Sequence, residues 1–180
     1  MISIYVIITL ILDLIIASVI SNSYMWASFI LIPFTSLVFL LYISLKRDVY
    51  EVLFVAILVG LGIDLFTHSA LFLHAIIFVA ALFIMRIYQR HMSDTMFEMV
   101  LMGLVIIFIV EVLLFLYYSL FTTVQIGFSL WYMRRLFVTM IGNLPLIIVA
   151  YYLARHYIKM VKARETQKQR SETSLWRLKD

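Results

Sequence analysis

Leu58 to Ala75, LVGLGIDLFTHSALFLHA, sets two glycines and one carboxylate inside an otherwise apolar stretch of eighteen residues. A run of that length is the size of a membrane-crossing helix, which needs roughly 17–25 residues. Asp64 falls toward the middle of the run and near the far end of the span that contains it. A charged side chain at the centre of such a helix costs on the order of 2.5–3.5 kcal/mol on insertion scales. The acid therefore requires a partner, a wet cavity or a function.

The rest of the chain has the same character. Of 180 residues, 65% are hydrophobic and 13% charged, whereas soluble domains are about 45–50% apolar. The apolar runs are continuous rather than alternating, which indicates an all-α integral membrane protein and not a β-barrel. The chain has no cysteine, which excludes disulfides, thiolate nucleophiles and cysteine metal sites. The first hydrophobic segment has no basic lead-in and no convincing small-x-small cleavage site, so it is expected to remain as a membrane helix.

Six transmembrane helices are expected, at about 2–20, 25–45, 49–67, 70–85, 96–121 and 134–157. A basic cytoplasmic tail over 158–180 is expected to extend the last helix and then fray. Lys46, Arg47, Arg86, Arg90 and the eight basic residues from Arg155 onward fall on one side of this arrangement. Arg134 and Arg135 fall on the other. Twelve against two places both termini in the cytoplasm. Tyr24, Trp26, Trp131 and Tyr132 then mark the outer interface, where aromatic rings prefer to sit.

The net charge of +4 is unevenly spread: net +5 from Arg155 onward and −1 over the preceding 154 residues. Topology accounts for that excess, and no nucleic-acid partner is expected.

Ala56, Gly60, Asp64 and His68 recur every four residues and share one stripe of the third helix. Small residues at that spacing let a second helix approach closely. Asp64 is then expected to hydrogen-bond across the interface or to His68, with a relay or ligand role as the alternative. Gly62 lies beside the stripe. Asp13 and Glu111 are the other deep acids, and neither has a lysine or arginine within four residues. No basic residue is expected deep enough to serve as an obvious counter-ion, which leaves both acids without an assigned role. Pro33 in the second span, and Asn143 and Pro145 in the sixth, interrupt helices.

Catalysis is not expected. His68, His74, His91 and His156 are scattered, and no HExxH, GxSxG, Walker loop or paired-carboxylate pattern is present. Neither catalytic, metal-binding nor cofactor-binding residues are assigned.

Gly60-Leu61-Gly62-Ile63-Asp64-Leu65, a short turn, and then Leu73-His74-Ala75 resemble the signature of the MreD family of rod shape-determining membrane proteins. Pro33 with the apolar run to Tyr42 and Leu45 is similar to that family's second span. Asn143-x-Pro145 with the run to Tyr152 and Arg155 is similar to its last. The chain departs from the family in the turn after Asp64, where His68, Ala70 and Phe72 stand in place of its usual glycines.

The resemblance implies a non-enzymatic scaffold of the cell-wall elongation complex, in the bacterial cytoplasmic membrane, that maintains cell shape. The implied partners are MreC first, with RodA, a class B penicillin-binding protein and MreB as further members of the peptidoglycan synthesis assembly. It also implies a fold resembling the substrate-binding subunits of energy-coupling-factor transporters. A vitamin- or small-solute-binding membrane subunit is accordingly the alternative function. The bilayer itself is the remaining expected partner.

Overall fold

Apolar runs with polar ends become helices throughout the chain. The computed structural model describes residues 2–21, 31–44, 46–67, 70–89, 95–121 and 127–177. Seven α-helices occur there: α1 Ile2–Ser21, α2 Thr35–Ser44, α3 Val49–Thr67, α4 Leu73–Gln89, α5 Met96–Phe121, α6 Phe128–Trp131 and α7 Phe137–Arg177. One π-helical turn, Tyr132–Leu136, joins α6 to α7. Among the described residues there is no strand.

Three helical stretches are long and apolar enough to cross a membrane: Val49–Phe66, Met96–Phe121 and Phe128–Gln167. The chain is therefore a membrane protein. Its apolar surface agrees: Ile4, Ile7, Ile8, Ile11 and Ile15 form one exposed stripe along α1, at the spacing of a single helix face.

At the centre of the bundle lies α2, which touches α1, α3, α4, α5 and α7. All ten of its residues are buried, as befits a helix that is apolar on every side. Ten residues rise about 15 Å, roughly half the hydrocarbon thickness of a bilayer. This corrects the expectation of one helix over 25–45. Within the described part, helix begins only at Thr35, and Leu31–Phe34 is non-helical. Pro33 disfavours helix at the residue before it, so it precedes the helix instead of kinking it. Residues 25–30, with Tyr24, lie outside the described residues, as do Arg90 and His91.

The chain runs up and down around α2. Tyr5 near the start of α1 packs edge-on against Tyr157 of α7, with ring centroids 5.4 Å apart. Tyr42 near the end of α2 donates its hydroxyl to the Met99 carbonyl at the start of α5, at 2.7 Å.

The backbones of α3 and α4 approach closely at Gly60. A Cβ placed on Gly60 would fall on the backbone of Ala75. Gly103 of α5 serves a looser version of the same purpose, since a Cβ there would lie 2.8 Å from Ile147 of α7.

Two other boundaries differ from expectation. The fourth helix runs Leu73–Gln89, one turn later than 70–85, because Phe72 turns with a φ of 69° and closes the connection first. The last helical segment begins at Phe128 rather than Arg134 and stays helical to Arg177. Pro145 lies inside α7 without ending it.

Candidate functional site

Three buried carboxylates lie on α1, α3 and α5: the first two reach the beginning of the helix that follows, and the third reaches an arginine of the π-helical turn. Asp13 is the first. Its Oδ1 accepts the backbone N–H of Thr35 at 2.9 Å. Its Oδ2 accepts the N–H of Ser36 at 2.9 Å and the Ser36 hydroxyl at 2.6 Å. The first N–H groups of a helix have no intrahelical acceptor, and a negative charge at that end is favoured by the helix dipole. Asp13 thus supplies from a neighbouring helix the cap that a local Ser or Asp usually provides.

The segment before α2 is held from the other side by Asn143 of α7. Its Oδ1 accepts the Phe34 N–H at 2.8 Å, and its Nδ2 donates to the Ile32 carbonyl and to the Thr139 carbonyl, each at 2.8 Å. Backbone polar groups outside a helix are tolerated at membrane depth only where protein satisfies them. Asp13 and Asn143 together do so. In the same region Leu31 occupies the space a side chain at Gly142 would take.

Asp64 repeats the arrangement at α4. Both carboxylate oxygens accept the His74 N–H, at 3.1 and 3.2 Å, and Oδ1 accepts His74 Nδ1–H at 2.6 Å. The Asp64 side chain is wholly buried and that of His74 is 6% exposed. The small-residue stripe supports this contact: Ala56 and Gly60 are buried on the same face, and Gly60 lets the start of α4 come near enough for its backbone to reach Asp64. Gly62 is half-buried and meets only Leu10, at an ordinary 3.5 Å. His68, the expected alternative partner of Asp64, lies outside the described residues.

Glu111 pairs with a side chain rather than a backbone. Its Oε2 accepts Arg135 Nε–H at 2.8 Å, with Glu111 fully buried and Arg135 16% exposed. This corrects the expectation that no basic residue lies deep enough. Glu111 is ten residues before the end of α5, and Arg135 is seven after the start of α6, so a hairpin brings both to similar depth. The Arg135 guanidinium also lies 6.0 Å from the centre of the Tyr118 ring. Trp131, one turn before Arg135, is buried, and neither its indole N–H nor Glu111 Oε1 has a hydrogen-bond partner among the described residues. His74 acts on Glu111 through charge, and the Trp131 indole points at the Glu111 carboxylate as a poorly aligned donor. The pair Glu111–Arg135 thus lies within electrostatic range of His74, the partner of Asp64.

The structure brings together Asp13 with Thr35 and Ser36, Asn143 with the segment carrying Pro33, and Asp64 with Gly60 and His74. Pro145 is exposed on α7 and joins none of them. The sequence did carry signals for what was missed. Thr35-Ser36 directly after Pro33-Phe34 is the composition of a helix start. His74 likewise opens a helix within reach of Asp64. Among the described residues no three His, Asp or Glu side chains converge as metal ligands would.

Fold and site together define an all-helical membrane protein in which two of the buried acids, Asp13 and Asp64, hold the beginnings of neighbouring helices. No family model, curated protein or solved structure matches the chain.

Proposed function

We propose that the chain is a six-span, non-enzymatic scaffold of the bacterial cell-wall elongation machinery, of the MreD kind. It sits in the cytoplasmic membrane with both termini in the cytoplasm. The observation that carries this reading is the engagement of Asp13 and Asp64 with backbone N–H groups of the same chain. Acids committed to capping helices serve architecture rather than solute capture or proton relay. The charge distribution supports the topology, with twelve basic residues on the proposed cytoplasmic side and two on the other. In this reading α1 and α4 cross the membrane, and α2 with the segment before it completes a crossing of its own.

Since the stripe of Ala56, Gly60 and Asp64 is used against α4, partner proteins dock on other faces. MreC is the proposed direct partner, with RodA, the class B penicillin-binding protein and MreB in the wider assembly.

A substrate-binding subunit of a vitamin or small-solute transporter is the second reading. The buried polar groups of Glu111 and Trp131, only loosely matched to each other, favour it, because a ligand could bond to both.

Affinity purification in mild detergent followed by mass spectrometry separates the two. The scaffold reading expects a single-span, coiled-coil partner to be retained in defined stoichiometry. Retention of a small organic solute, lost on Glu111→Gln substitution and accompanied by no protein partner, would sink it.

A further inference from the structure

The α5 helix carries the buried Glu111. Twelve residues earlier, roughly 18 Å along the axis at 1.5 Å per residue, its Met99 lines a recess of about 310 Å³ between α2, α5 and α7. Four cations surround this recess: Lys46, Arg155, Lys159 and Lys162. Arg155, Lys159 and Lys162 all project from one face of α7, at the four- and three-residue spacing that stacks side chains, and all three are exposed. No carboxylate is found among the residues lining it.

The inner wall is different in kind. Tyr42, Met99 and Tyr151 are buried there, with the Tyr42 and Tyr151 rings edge-on at 6.1 Å, and Ala154 and Ile158 continue the apolar surface. The three like charges of Arg155, Lys159 and Lys162 on one face of α7 repel one another unless an anion lies between them. An anion that also matches an apolar wall is an amphiphile. The recess lies where α7 changes from apolar to basic sequence, which is the level at which lipid headgroups meet membrane proteins. Basic recesses between membrane helices at that level suit phosphorylated headgroups.

We propose that this recess binds the phosphate of an anionic membrane lipid. Arg155, Lys159 and Lys162 hold the phosphate, and the apolar wall of Met99, Ala154 and Ile158 receives the first carbons of the lipid. The site is separate from the buried carboxylates and does not depend on the scaffold reading.

The test uses the purified full chain in detergent micelles, with native mass spectrometry to count bound phosphatidylglycerol and phosphatidylcholine at matched concentrations. The wild type is expected to retain phosphatidylglycerol at least tenfold better. The R155Q/K159Q/K162Q variant is expected to bind it roughly 100-fold more weakly, at about fivefold per basic group, with phosphatidylcholine unchanged and helix content by circular dichroism intact. The R134Q/R164Q variant removes the same kind of charge outside the recess and is expected to bind like the wild type. Equal retention of the two lipids, undiminished binding by the triple variant, or an equal loss in R134Q/R164Q would each overturn the proposal. Displacement of phosphatidylglycerol by an equal concentration of glycerol 3-phosphate would assign the site to a soluble phosphate and overturn the lipid.

Discussion

The carboxylate of Asp13 on α1 holds both the backbone N–H and the hydroxyl of Ser36 on α2, at 2.9 and 2.6 Å. With the Thr35 N–H on its other oxygen, one side chain terminates three donors. A hydrogen bond to a charged group contributes about 1.5–3 kcal/mol, and leaving a buried donor open costs about 1–3 kcal/mol. Asp13→Ala is expected to destabilise the fold by about 3 kcal/mol and Asp13→Asn by about half that, since asparagine keeps one acceptor. Thermal unfolding of the purified protein in detergent reads both. An Asp13→Ala variant as stable as the wild type would remove the cap from the account of α2.

Gly60 and Gly62 are two residues apart and meet different surroundings. A methyl group on Gly60 collides with Ala75 backbone, which cannot rotate away, whereas one on Gly62 reaches Leu10 at ordinary contact distance. Gly60→Ala is expected to cost about 2–3 kcal/mol, at the upper part of the range for overpacking. Gly62→Ala is expected to be neutral or slightly stabilising, by up to about 1 kcal/mol, because alanine favours helix. Denaturant titration of the two single variants side by side decides it, and equal effects would contradict the packing described.

Glu111 and Arg135 lend themselves to a double-mutant cycle. Arg135→Met leaves a buried carboxylate without its cation, which costs about 3–5 kcal/mol where burial is complete. The partial exposure of Arg135 sets the expectation at the lower end, about 3 kcal/mol. Glu111→Gln alone is expected to be milder. The double variant should recover most of the loss, giving a coupling of about 1–3 kcal/mol. A coupling near zero would mean the two side chains do not depend on each other.

Asn143 is the second support of the segment that opens the central helix. Asn143→Leu matches its size but strands the Phe34 N–H and the Ile32 carbonyl, and is expected to cost about 2–4 kcal/mol at about 1–3 kcal/mol for each buried group left open. Asn143→Asp keeps the acceptor for Phe34 and loses the donor for Ile32 and Thr139, so it also destabilises. If hydrogen exchange at Phe34 and Thr35 is as slow in Asn143→Leu as in the wild type, the segment is held by something else.

Much of the fold was legible in the sequence where apolar runs end abruptly in polar residues. The limits of α3 and α5 agree with the expected 49–67 and 96–121, and α1 differs by a single residue. Gly60 and Asp64 stood out for the same reason that they matter: each is a poor choice for a membrane helix unless a second helix needs it there.

The beginning of α2 was not legible, because it depends on Asp13 and Asn143, which are 22 and 109 positions away. Read locally, Thr35 and Ser36 look like mild polar substitutions within a long helix. Arg135 was misjudged because its depth is set by where α6 starts, and the helix starts six residues before the first arginine. Periodicity carries no information on contacts of that range. Helix length was equally hard to read in the tail, where charge density alone suggests fraying but the helix persists to Arg177.

The dependence of Phe34 on Asn143 has a consequence for synthesis. The two residues are separated by 109 positions. At about 5–20 residues per second of translation, roughly 5 to 20 seconds pass between their emergence. During that interval the ribosome has already delivered the most central helix, but the segment leading into it still has open polar groups in or near the lipid. The final helix therefore acts as a keystone: the molecule closes only when its last hydrophobic stretch arrives, and a chain interrupted before Asn143 leaves its middle open to quality-control proteolysis.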